Sequence, residues 1–146
     1  MNDMDKTKAE LSKQEEAIIT AAHKLKPLKI LLVEDNLCGV RLLPIFLEEF
    51  NHEVILANNG EEGIEIIRNR QDIDLILMDI QMPIMNGFEA AELIRGFDKE
   101  VIIIAFTAIY LFKNEKQAIE AVLNDCLQKP INYYELSALL IKYFGK

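Results

Sequence analysis

From Leu28 onward the chain alternates between short runs that are apolar throughout and longer segments in which apolar residues recur every three or four positions. The short runs are "KILLV" (29–33), "EVILA" (53–57), "DLILM" (74–78), "VIIIAF" (101–106) and, more weakly, "DCLQ" (125–128). Leu37, Val40, Leu43, Leu47 and Phe50 mark a first helix, "EEGIEIIRN" a second, and Phe88, Ala91 and Ile94 a third. Ile119 and Val122 support a fourth, and Leu136, Leu139, Leu140 and Tyr143 a fifth. Strands that are apolar on both faces, each followed by a helix, belong to a parallel sheet covered on both sides. The pattern predicts an α/β domain of (βα)5 type. Five units are too few for an eightfold barrel, so an open, doubly wound parallel sheet is expected.

Residues 1–27 stand outside this alternation. "TKAELSKQEEAIITAAHKLKP" offers a capping box at Thr7 and Glu10, then Leu11, Ile18 and Leu25 at sevenfold spacing, and Pro27 ends it. This predicts an amphipathic helix or linker over 1–27, preceding a domain over 28–146. Such a helix packs on its own domain, pairs with a second copy to form a homodimer, or ends a linker from an upstream module. About three heptads are marginal for an independent coiled coil.

Composition narrows the classes of function. With 16 basic against 24 acidic residues the net charge is −8, which argues against nucleic-acid or anionic-membrane partners, since phosphate contacts need an excess of Lys and Arg. Cys38 and Cys126 are too few and too far apart for a disulfide framework or a zinc site, and their apolar neighbours read as reduced core thiols. The start of the chain is charged and carries no signal-peptide core; the longest nearly apolar run, Val101 to Phe112, is too short to span a bilayer. The expectation is a soluble, cytoplasmic protein. His23 and His52 read as surface residues.

The chemistry lies where the strands end. Glu34 and Asp35 follow the first predicted strand, Asp79 the third, Thr107 the fourth and Lys129 the fifth. Taken singly, each has a plain structural role: a strand-end Asp opens a turn, and "EDN" caps a helix. Ligands of open α/β sheets, however, bind outside the carboxyl ends of the strands, and here that edge collects three carboxylates, a hydroxyl and an ammonium. Converging carboxylates repel one another unless a hard cation joins them, and Mg2+ takes oxygen ligands, keeps waters and accepts a phosphate oxygen. Lys129 is then a point charge for a phosphoryl oxygen, and Asp79 a nucleophile.

At these residues the sequence resembles the receiver domain of two-component response regulators, in the form found in hybrid histidine kinases and phosphorelays. "ILLVEDN", "LILMDIQMPIMNG", "IIAFTA" and "LQKPI" stand in the family's order. The resemblance implies a flavodoxin-like fold with strand order 2-1-3-4-5. It implies that Asp79 accepts a phosphoryl group from a phosphohistidine on a histidine kinase or histidine phosphotransfer protein. Asp35, the Asp79 carboxylate and the backbone carbonyl of Gln81 would hold Mg2+, with Glu34 contacting it through water. Lys129 would bind the phosphoryl group, with a cis bond to Pro130, and Thr107 would swing toward it. The phosphorylated state would alter binding to a downstream target or a covalently linked module. Such a chain phosphorylates and dephosphorylates itself and has no kinase activity.

Departures concern the signalling half. Cys126 occupies the switch position where the family carries Tyr or Phe; a thiol does not fill that space, and substitution by a neighbour such as Tyr110 or Phe106 is left open by the sequence. Val122 stands where the family often has Gly, so that loop is expected to differ. Pro44 is expected to kink the first helix of the repeat near Val40. Ile109 offers no polar group to orient water, which predicts a long-lived phosphoryl state. Of the rivals, a haloacid-dehalogenase-type phosphatase needs an acid where Gln81 stands. A flavodoxin-like cofactor binder needs a Ser/Thr/Gly loop where "EDN" stands. The serious alternative is a non-phosphorylated pseudo-receiver acting as a protein-interaction module.

Overall fold

The computed structural model describes residues 3–36, 38, 41–108 and 120–145; of residues 3–11 it describes the backbone. Its elements are α1 (Asp3–Ala22), β1 (Lys29–Val33), α2 (Leu42–Glu49), β2 (Glu53–Ala57), α3 (Gly60–Asn69), β3 (Leu75–Asp79), α4 (Gly87–Arg95), β4 (Ile102–Thr107), β5 (Asp125–Gln128) and α5 (Tyr133–Phe144). The helix predicted between β4 and β5 falls mainly on 109–119, outside the described residues.

Residues 27–130 form one compact unit. Its five strands are all parallel and lie in the order β2-β1-β3-β4-β5, as expected. All five residues of β3 are buried, because it lies at the centre of the sheet with both faces covered. On one face Leu31, Val33, Ile76, Met78, Ile103 and Ala105 pack with Ile64 and Ile67 of α3 and Ala90, Ala91 and Ile94 of α4. The alternate residues Ile30, Leu32, Leu75, Leu77, Ile104 and Phe106 are equally buried and point to the other face.

Three helices begin with the same local chemistry. Asn59, Asn86 and Asn132 each accept, through the side chain, the N–H of a Glu three residues on, at Glu62, Glu89 and Glu135. Each bond satisfies one of the orphan donors of a first helical turn, and the Glu complements the helix dipole.

Several local expectations change. β3 and β4 each end one residue later than the apolar runs suggest, so Asp79 and Thr107 are the last residues of their strands rather than the first beyond them. α2 starts at Leu42, which puts Pro44 in its first turn, where a missing N–H is an orphan in any case. The kink expected near Val40 falls on a position outside the described residues. His52 is buried and not at the surface, because Leu28 donates its N–H to the imidazole Nδ1 at 3.0 Å. Cys38 is exposed instead of packed in the core, while Cys126 is half-buried against it.

Residues 1–26 and 131–146 form a second unit, in which α1 and α5 pack on each other. Burial on the described part of α1 falls on Ile18, Ile19 and Ala22, one stripe of an otherwise exposed helix. The helix runs unbroken through Thr7 and Glu10, so this pair is not its N-cap. No helix among the described residues is long and apolar enough to cross a membrane.

Candidate functional site

The sheet register brings the predicted residues to one edge. Val33 pairs with Met78, so Glu34, one residue beyond β1, is level with Asp79 at the end of β3. Asp79 is opposite Phe106, and Thr107 is opposite Gln128, which places Lys129 one step beyond β5. Main-chain bonds continue the ladder past the strand ends: Glu34 N–H to Ala57 O at 3.1 Å, Ile80 N–H to Phe106 O at 3.0 Å, and Lys129 N–H to Thr107 O at 2.7 Å. This edge lies at the reversal of strand order between β1 and β3, the switch point where open sheets bind ligands.

Glu34, Asp79 and Thr107 are buried, whereas Asp35 is exposed. Ligand oxygens of Glu34, Asp35 and Asp79 lie within 4.8 Å of one another. Lys129 Nζ bridges two of the acids, donating to Glu34 Oε2 at 3.0 Å and Asp79 Oδ2 at 3.1 Å. The other oxygen of each is tied to the main chain. Asn36 N–H donates to Glu34 Oε1 at 3.0 Å, and Gln81 N–H to Asp79 Oδ1 at 3.0 Å. The bond from Gln81 fixes the Asp79 carboxylate in an Asx turn, so its orientation comes from the loop that follows it.

One ammonium, bonded to two of the three clustered carboxylates, leaves the charge unbalanced. Burial, reinforced by the neighbouring Asp79, pushes the Glu34 carboxyl up to about 7 against the hydrogen bonds that favour its charge. Burial also works against the Lys129 ammonium, but its bonds to Glu34 and Asp79 prevail and hold its pKa above the ordinary lysine value. A hard cation with oxygen preference fits this donor set: two buried carboxylates, one exposed, and a deficit of positive charge.

The Lys129–Pro130 bond is cis. Cys126 sits opposite Ala105 in the β4–β5 ladder and packs on the core. Phe106 is fully buried beneath the site, with Lys129 Nζ 5.2 Å from its ring centroid. Tyr110 and Ile109 lie outside the described residues. Val122 is absent from the described non-glycine residues with positive φ, which are Asn51 and Ile84; its loop avoids the left-handed cap, as expected.

Two frame residues gained no weight from the sequence. Asn36 holds Glu34 through its main chain, which no side-chain pattern signals. Gly87 packs on the Asp79 main chain; the sequence marks it only as a chain breaker, eight residues after the acid.

Comparison with known proteins places the chain in a family. The family described as response regulator receiver domain matches residues 30–141. Hybrid signal transduction histidine kinase B of Dictyostelium discoideum is 37% identical over 127 residues, covering 78% of this chain and 6% of that protein. The chain therefore spans only a small part of the curated relatives it matches. The receiver domain of Ssk1 from Saccharomyces cerevisiae, crystallised with the histidine phosphotransfer protein Ypd1, superposes with a TM-score of 0.73 at 32% identity, over 82% of this chain and 90% of that one. The receiver domain of the sensor histidine kinase PA1611 from Pseudomonas aeruginosa, with a magnesium ion in its active-site cleft, gives 0.72 at 32% identity, over 83% and 100%. The chain belongs to the response regulator receiver domain family of two-component and phosphorelay signalling.

Proposed function

We propose that the chain is a phosphoacceptor, with a receiver domain over 28–146 preceded by the helical segment 1–27. Asp79 takes a phosphoryl group from a phosphohistidine on a histidine kinase or histidine phosphotransfer protein. The observation that carries this is the Asp79 carboxylate held at the strand end between the Lys129 ammonium and the Gln81 N–H, beside two further acids.

An Asp79 oxygen attacks phosphorus in line with the departing imidazole. The O–P bond forms as the N–P bond breaks, and the electron pair returns to the imidazole nitrogen. Lys129 turns from Asp79 Oδ2 to a phosphoryl oxygen, and Thr107 donates its hydroxyl to another. Asp35, Asp79 and the Gln81 carbonyl would hold Mg2+, with Glu34 contacting it through water, and the ion would supply positive charge to the transferring group. The magnesium in the PA1611 receiver supports that assignment, and the Ypd1–Ssk1 complex supports a phosphotransfer partner. The free thiols Cys38 and Cys126 support a reducing, cytoplasmic setting.

The test is intact-protein mass spectrometry after incubation with acetyl phosphate, with and without Mg2+, beside Asp79→Asn. A single Mg2+-dependent phosphoryl adduct, absent from the variant, is expected. A folded protein that takes no adduct with Mg2+ present is instead a silent interaction module.

A further inference from the structure

Lys129 reaches the acid cleft from the shortest strand. β5 has four residues, lies at the sheet edge and pairs with β4 alone. A slip of one residue would carry each side chain about 3.3 Å along the strand and onto the opposite face. Whatever fixes the register of β5 therefore fixes the ammonium between Glu34 and Asp79.

At the site end, that register is held by the bond from Lys129 N–H to Thr107 O at 2.7 Å. At the far end it is held by a polar node. Asn124, the residue before β5, donates its N–H to Ile103 O at 2.9 Å, while its side-chain Oδ1 accepts the Ile103 N–H at 2.8 Å. The same Oδ1 accepts from Arg95 Nη2 at 2.8 Å. Arg95 is the last residue of α4. Its Nε donates to Val122 O at 2.8 Å, and its Nη1 to Val101 O at 2.6 Å and Asp98 O at 3.3 Å. One guanidinium thus ties the entry of β4, at Asp98 and Val101, to the entry of β5, at Val122 and Asn124. All four acceptors are neutral oxygens, so the fork of planar donors matters here beyond the charge.

We propose that Arg95 and Asn124 are positioning residues for phosphoryl transfer, a clamp that sets β5 on β4 and so aims Lys129 at Asp79. The inference rests on the phosphoacceptor reading above. It assigns a role in the reaction to residues at the sheet edge opposite the site.

The experiment compares wild type with Arg95→Met, Arg95→Lys, Asn124→Leu and Asn124→Asp, all well below their melting temperatures. It measures the initial rate of Mg2+-dependent phosphorylation by acetyl phosphate and the NMR position of the Lys129 amide. Arg95→Met and Asn124→Leu are expected to lose about tenfold to a hundredfold in rate, as for a reacting group misplaced by about 1 Å, and to shift the Lys129 amide. Asn124→Asp, which keeps an oxygen for both donors, restores rate and shift. Arg95→Lys keeps charge and stem without the fork, folds and falls between. Folded variants with wild-type rates and an unmoved Lys129 amide overturn the clamp. A wild-type chain that takes no phosphoryl group overturns the phosphoacceptor reading instead, and the amide shifts still test the register.

Discussion

Gly87 lies with its α-carbon against the main chain of Asp79, so near that a β-carbon there would overlap the Asp79 carbonyl oxygen and stand 2.9 Å from the α-carbon of Ile80. No described glycine has positive φ, so position 87 needs space, not unusual torsions. Its N–H donates to Ile80 O at 2.9 Å, closing the loop that carries Gln81 back onto the strand end. Gly87→Ala forces rigid backbone apart and is expected to cost about 1–3 kcal/mol. It also turns the Asp79 carboxylate, so Mg2+ affinity falls with Tm. Gly60→Ala is the control: its β-carbon would meet the end of the flexible Met85 side chain and the Ala90 methyl at 3.2 Å. Thermal melts with and without Mg2+ separate the two. An Ala at 87 that binds Mg2+ like wild type removes Gly87 from the site's frame.

Lys129 is the cation shared by Glu34 and Asp79. Lys129→Ala leaves two buried carboxylates without it, and a loss of about 2–4 kcal/mol is expected in metal-free buffer. The lysine also competes electrostatically with any cation entering the cleft. Mg2+ is therefore expected to raise the Tm of Lys129→Ala by more than that of wild type, even though phosphorylation is lost. Equal Mg2+-induced shifts in the two proteins would mean that Lys129 and the metal do not share a field.

The contrast between these residues and Arg95 explains what the sequence discloses. Asp79, Thr107 and Lys129 are legible because each ends or follows an apolar run, and strand-end polar groups of a parallel sheet converge whatever the details of packing. The same periodicity places all five strands. Loop contacts are not periodic, and the residues that depend on them stay hidden. His52 is polar and breaks no pattern, yet it is buried by a bond to a main-chain N–H 24 positions away. The Arg95 acceptors are mostly carbonyls, which carry no side-chain signature. Thr7 and Glu10 fit a capping box, but nothing in the preceding residues stops the helix from starting earlier.

Ile84 has φ of 71° and is 97% exposed, in the loop after Asp79. A β-branched residue in the left-handed region carries about 1–2 kcal/mol of strain, and this one recovers almost nothing by burial. Ile84→Gly relieves the strain and gives back part as chain entropy, so a net gain of about 0.5–1 kcal/mol is expected. Asn51, at φ 68°, is a residue type suited to that region, and Asn51→Ala should lose about 1 kcal/mol. Urea melts at constant m-value decide both signs. A destabilised Ile84→Gly would show that the isoleucine makes contacts that outweigh its strain.

His52 supplies a pH dependence whose sign is fixed by geometry. Its Nδ1 accepts the Leu28 N–H, so the ring is neutral with its proton on Nε2, which is buried and finds no partner among the described residues. Burial lowers its pKa below the ordinary 6.5, against a weaker pull from Asp74. A folded-state pKa below the unfolded one gives stability that is complete above pH 6.5 and is lost as pH falls below it, because the unfolded chain binds the proton more readily. Glu34 acts oppositely: its carboxyl is raised from 4.5 to about 7, and its contribution falls as pH rises across that interval. A variant that retains Glu34 cancels this second effect. His52→Phe keeps a ring but strands the buried Leu28 N–H, and should cost about 1–3 kcal/mol well above pH 6.5. The stability difference between wild type and His52→Phe is then expected to shrink steadily as pH drops below 6.5. A difference that stays flat with pH would mean that His52 titrates alike in the folded and unfolded chains.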